Sequence, residues 1–131
     1  AAEAFATEPE AREKYLYNCG AAVRSFHIDP YGQLTVCSMT RTPAYDLLSG
    51  SFREGWQTLG EWRSVQVSKD FACLHCDLST SICQRCPAFS VHEHGDPETV
   101  VEYACAIAHL RGKRMGLDSR LEERGLVVSG I

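Results

Sequence analysis

The stretch Cys73-Leu74-His75-Cys76-Asp77-Leu78-Ser79-Thr80-Ser81-Ile82-Cys83-Gln84-Arg85-Cys86 carries two C-x2-C knuckles six residues apart. Two residues between thiols let both sulfurs face one metal while the backbone turns beneath them. With Ser79-Thr80-Ser81 between the pairs and Pro87 behind them, the segment from Phe71 to Phe89 is expected to be mostly turn and loop. A loop of that length inside a compact domain needs another source of order, and bound metal is the obvious one. Four inert core cysteines fit poorly with such polar neighbours, and a redox C-x-x-C would require a βαβ context that is absent here.

Three further cysteines, Cys19, Cys37 and Cys105, bring the total to seven in 131 residues. An odd count leaves one thiol over in any all-disulfide scheme, and the N-terminus shows no export signal, so a reducing cytoplasmic setting is expected. With 44% hydrophobic residues, 23% charged residues and a net charge of -4, the chain reads as one folded domain rather than a disordered tail. Its longest apolar run, Ala104 to Ala108, is five residues, far below the roughly 18 to 20 that span a bilayer, so no membrane partner is expected. The acidic balance also lacks the basic surplus that drives binding to phosphate backbones, which argues against nucleic acid.

Outward from the knuckles the patterns alternate between hairpin and helix. Ser25-Phe26-His27-Ile28 and Gln33-Leu34-Thr35-Val36 flank Asp29-Pro30-Tyr31-Gly32, a turn with Pro second and Gly fourth, which predicts a β-hairpin between Cys19 and Cys37. From Thr42 to Lys69 the apolar spacing predicts two short helices, about Phe52 to Leu59 and Glu61 to Val67, with Trp56 and Trp62 in the core. Asp96-Pro97-Glu98 reads as an N-cap and acidic first turn of a helix carrying Val100, Val101, Ala104, Cys105 and Ala108 on one face and ending at Arg111-Gly112. A short helix around Glu8 to Tyr17 and another around Ser119 to Arg124 complete the reading. The class is therefore a small, loop-rich α+β domain: a hairpin, short helices and a C-terminal helix organised around cysteine sites.

Which metal those sites take is a separate question. One tetrahedral zinc would use the four knuckle cysteines, yet zinc ribbons usually separate their knuckles by more chain, and zinc leaves Cys19, Cys37 and Cys105 unexplained. Iron-sulfur clusters are also held by thiolates, often as C-x2-C plus a distant cysteine, and would draw on all seven. The order Cys19, twelve residues, Gly32, four residues, Cys37, a gap, Cys73-x2-Cys76, Cys83, Cys86, a gap and Cys105 resembles the seven-cysteine SPASM domain. That domain is the C-terminal auxiliary-cluster module of radical S-adenosylmethionine enzymes that modify peptides and proteins. Ile28-Asp29-Pro30-Tyr31-Gly32 before Cys37, Gly50-Ser51-Phe52 leading to Trp56, and Cys86-Pro87 add to the likeness, which runs from about Cys19 to Arg111. One departure is visible: the family has five then three residues around its third clustered cysteine, whereas Cys83 follows six and precedes two.

The resemblance implies two auxiliary clusters, each expected to be 4Fe-4S. Cys73, Cys76, Cys83 and Cys105 would hold one; Cys19, Cys37 and Cys86 would hold the other, with its fourth ligand open. A non-cysteine ligand such as an aspartate, an open iron or a 2Fe-2S centre would each complete that second site. It also implies residues 1–18 as a linker from a radical S-adenosylmethionine barrel, residues 19–112 as the auxiliary domain and residues 113–131 as a C-terminal extension. The C-x3-C-x2-C loop that binds the catalytic cluster and S-adenosylmethionine is absent from this chain, so the domain alone is expected to be inactive. Its expected partners are the barrel domain and a peptide or protein substrate, which it would help to bind or to which it would pass electrons. The alternative is a zinc-stabilised structural or protein-binding module. His75, His92 and His94 would suit a mixed Cys/His zinc site, but exposed polar histidines are the commoner case; His27 and His109 read as surface residues, and Arg111, Lys113 and Arg114 as cations favoured at a helix C-terminus.

Overall fold

A computed structural model of the chain describes residues 14–79 and 81–117. They form a small α+β fold with a three-stranded antiparallel sheet, β1 (His27–Ile28), β2 (Gln33–Thr35) and β3 (Ala44–Asp46), in the order β1-β2-β3. Three helices follow, α1 (Phe52–Gly60), α2 (Pro87–His94) and α3 (Glu102–Arg114), with single 3-10 turns at Glu61–Ser64 and Ala72–His75. The predicted hairpin is present, pairing His27 with Thr35 and Ile28 with Leu34. Its turn forms because the Asp29 carboxylate accepts from both Tyr31 N and Gln33 N at 2.9 Å, while Gly32 takes the left-handed φ of 81° that closes it.

Leu34 and Val36 alternate onto one face of the sheet and are fully buried. They meet α1, whose inward residues are Leu59 and Gly55. Gly55 is a requirement of that contact, since a Cβ there would lie 2.8 Å from Leu34 Cδ2 and 2.7 Å from Tyr45 Cδ1. The helix starts where predicted because Ser51 and Glu54 form a reciprocal capping box: Glu54 N donates to Ser51 Oγ, and the Glu54 carboxylate accepts from Ser51 N at 2.8 Å. Leu16, Tyr17, Ala21, Ala22, Val67 and Phe71 extend this core beneath the sheet.

Several expectations change on the structure. Tyr15 to Tyr17 are not helical: Tyr15 bridges to Gln66, Leu16 N donates to Val65 O and Val67 N to Lys14 O, so the strand-like pairing outcompetes local helix formation. The expected helix residues Glu8 to Glu13, and all of Ser119 to Arg124, lie outside the described residues. The second short helix is one 3-10 turn, Glu61–Ser64, and stops before Val67. Trp62 packs on the core, but Trp56 is only half-buried and stacks on exposed Phe52, with Phe26 edge-on to both.

Two helix starts also differ. Pro87 opens α2 rather than merely following the loop, because its missing N–H and fixed φ suit a first helical position. Further on, Asp96 caps a turn, accepting from Glu98 N and Thr99 Oγ1, and α3 begins six residues later at Glu102. Val100 and Val101 thus precede α3, which runs past Gly112 to Arg114; Arg111, Lys113 and Arg114 occupy its last turn rather than following it. Among the described residues no helix is long and apolar enough to cross a membrane.

Candidate metal centre

The cysteine-rich segment is shaped by short turns that point successive thiols at common space. The 3-10 turn Ala72–His75 carries Cys73 and ends at Cys76, whose amide donates back to Cys73 O. Cys76 O then accepts from Ser79 N, and Leu78 O accepts from both Ile82 N and Cys83 N, the latter at 2.7 Å. This folds the six-residue connection back on itself, with Leu78 buried inside it. Cys86 ends the run as the residue before α2, its carbonyl receiving the Phe89 and Ser90 amides. Cys105 comes from the first half of α3.

Cys73, Cys76, Cys83 and Cys105 all line one cavity of about 80 Å³, with Cys86 also on its wall. Phe71, Leu78, Val101 and Ala108 supply much of the remaining lining, so the thiols face an apolar space. Burial pushes the Cys73 thiol up to about 11, with Cys83, Cys76 and Cys105 adding repulsion and Arg85 opposing it. Burial raises Cys83 and Cys105 as well, each again feeling the neighbouring thiols. In the metal-free chain these groups are therefore neutral thiols, and a cation would have to displace their protons on binding. Arg85 stacks over Phe71 at 5.1 Å and donates from Nη2 to Tyr15 O at 2.7 Å, which fixes its charge beside the cavity. Ser79 Oγ, on the cavity wall, is buried with no hydrogen-bond partner among the described residues.

Cys19 and Cys37 are not on the wall of that cavity. Cys19 precedes the tight loop in which Gly20 O accepts from Val23 N, Arg24 N and Ser25 N, and Cys37 follows β2 after Val36. Burial raises the pKa of the Tyr17 phenol, with smaller contributions in the same direction from Cys37, Cys86 and Cys19. Cys19 and Cys86 are exposed and Cys37 is half-buried. Thr40 sits between Cys37 and Tyr17: its hydroxyl lies 3.2 Å from Cys37 Sγ and 3.4 Å from the Tyr17 hydroxyl.

Among the described residues no three Cys, His, Asp or Glu side chains are grouped as a single metal ion requires. The histidines are engaged elsewhere: His75 Nε2 contacts Lys69 O at 3.1 Å and His92 Nε2 contacts Met39 O at 2.7 Å. His109, expected at the surface, is half-buried and lines the cavity because α3 turns that side inward. Sequence reasoning missed Tyr17, Thr40 and Arg85. The signal for Thr40 was available, since Cys37-x2-Thr40 repeats the spacing of the knuckles. Comparison with known protein families, curated proteins and solved structures finds no match.

Proposed function

We propose that this chain is an auxiliary iron-sulfur domain of a radical S-adenosylmethionine peptide or protein maturase. Cys73, Cys76, Cys83 and Cys105 would hold one cluster, and Cys19, Cys37 and Cys86 a second with one further ligand. The observation that carries the reading is the convergence of Cys73, Cys76, Cys83 and Cys105, with Cys86 beside them, on one largely apolar cavity.

A bound cluster would supply one-electron chemistry, at potentials that span roughly -700 to +450 mV according to ligands, hydrogen bonds and exposure. The chain's own residues would do the rest. Leu78, Val101 and Ala108 would give the bound group a largely apolar surround. The Arg85 guanidinium beside Cys73 and Cys83 offsets thiolate charge there, and Arg111 does the same for Cys83. The three-cysteine set is more open, with Cys19 and Cys86 at the surface, and is the side where a substrate peptide or an exchangeable ligand would be met. A cytoplasmic, reducing setting would keep these thiols available.

Anaerobic purification and reconstitution with iron and sulfide tests the reading. Brown protein with iron and sulfide in excess of zinc is expected; colourless protein holding stoichiometric zinc and no iron would replace this reading with a zinc-stabilised module.

A further inference from the structure

Thr35, Thr40, Ser79 and Ser90 are the polar residues buried among the described residues, and three of them have partners. Thr35 Oγ1 donates to Cys37 O at 2.9 Å, Thr40 Oγ1 lies 3.2 Å from Cys37 Sγ, and Ser90 Oγ donates to Cys86 O at 3.4 Å. Ser79 is as deeply buried, at 3% exposure, yet its hydroxyl has no partner among the described residues. Burying a hydroxyl without a partner forfeits its hydration for nothing, so native folds seldom leave one. The backbone around Ser79 is well held: its amide donates to Cys76 O at 3.0 Å, and the preceding Leu78 O accepts from Ile82 N and Cys83 N. Ser81, two residues on and exposed, spends its hydroxyl within the same turn on Asp77 O at 3.0 Å. The connection between the knuckles thus satisfies one serine locally and leaves the other on the wall of the cavity that Cys73, Cys76, Cys83 and Cys105 line.

We infer that Ser79 is a binding residue of this cavity, its O–H donating to a sulfur of the metal-sulfur group held there. The inference rests on the function proposed above, and it adds a residue that the cysteine pattern does not contain. A sulfur bonded to metal has no proton and carries negative charge, so it accepts, and the serine hydroxyl is the donor. Leu78, Val101 and Ala108 make much of the surround apolar, and a hydrogen bond to a charged acceptor is strong in such a setting. The same hydroxyl is a liability in the empty cavity and an asset in the filled one. Ser79 therefore favours the bound state from both sides, which gives its removal opposite signs in the metal-free and the loaded protein.

Protein reconstituted anaerobically with iron and sulfide tests this in Ser79→Ala and Ser79→Thr. Iron held by Ser79→Ala is expected to pass to a chelator about tenfold faster than from wild type, the scale of one hydrogen bond to a charged group, with a shift of the visible sulfur-to-iron absorption. Ser79→Thr keeps the hydroxyl and is expected to match wild type in both measurements. In urea, the unfolding midpoint of metal-free Ser79→Ala is expected to be unchanged or raised, and circular dichroism checks that it is folded. A lowered midpoint would show that the hydroxyl serves the fold and would overturn the inference. Iron release and absorption equal to wild type in Ser79→Ala would overturn it as well, since that is the result if water alone satisfies the hydroxyl. Should threonine crowd the turn, the alanine variant and its two opposite signs decide. Either failure leaves the proposed function standing, whereas wild-type protein that takes up no iron overturns both.

Discussion

The sheet half of the molecule and the cysteine-rich half are stabilised in different ways. Between Leu16 and Phe71 the buried side chains form one contiguous cluster, and the three strands and α1 pack directly on one another. Beyond Phe71 the buried apolar residues Leu78, Ala88, Val101 and Ala108 lie outside that cluster, three of them around the cavity, and among the described residues α2 and α3 pack little against the other elements. What lies between them is a cavity with thiols on its wall. The first half is held by the burial that holds any small domain; the second, on the function proposed above, would be held by the clusters it binds.

The sharpest way to break this comparison is to remove metal from reconstituted protein and follow amide hydrogen exchange. Protection in residues 72–86 and around Cys105 is expected to collapse, while the sheet and α1 retain theirs. Uniform loss would show a single cooperative unit instead. Next in size is the cysteine partition. Cys105→Ala should remove about half of the iron and spare the spectrum of the other cluster, with Cys37→Ala giving the reverse. Identical losses from both variants would dissolve the distinction between the sites.

Within the sheet half the expected effects are ordinary packing energies. Leu34→Ala, at a fully buried position, should cost about 2 to 5 kcal/mol in urea unfolding of the metal-free protein. Gly55→Ala should cost about 1 to 3 kcal/mol, because the new methyl meets Leu34 and Tyr45 closer than van der Waals contact and something must shift. The smallest effect belongs to the cap of α1. Ser51→Ala should cost about 1 kcal/mol. Hydrogen bonds from the Ser51 amide, the Ser51 hydroxyl and Tyr45 hold the Glu54 carboxyl below its usual range. A depressed carboxylate contributes stability above its unfolded pKa and loses it as pH falls through the folded value, so acid titration of wild type should show a small loss there that Glu54→Gln lacks.

Local chemistry was legible wherever neighbours in sequence decide the outcome. The Asp29 to Gly32 turn, the hairpin around it and the Ser51 start of α1 all rest on contacts within a few residues. The expectations that changed depended on distant partners. Tyr15 and Leu16 pair with Gln66 and Val65, far along the chain, instead of forming a helix. The late start of α3 is the local exception, since Asp96 spends its carboxylate on Glu98 and Thr99. β3 carried no clear pattern because its three residues are ordered by pairing with β2.

The cysteine spacing by itself marked the two knuckles Cys73-x2-Cys76 and Cys83-x2-Cys86 as one thiol-rich turn, since two-residue gaps turn the chain back on itself whatever surrounds them. Tertiary structure alone decided what stands beside each set. It brings Arg85 from inside a knuckle to Phe71 and Tyr15, sets Thr40 between Cys37 and Tyr17, and turns His109 inward. Hydrogen bonds and charges of that kind act across space between segments far apart in the chain, and no local period in the sequence records them.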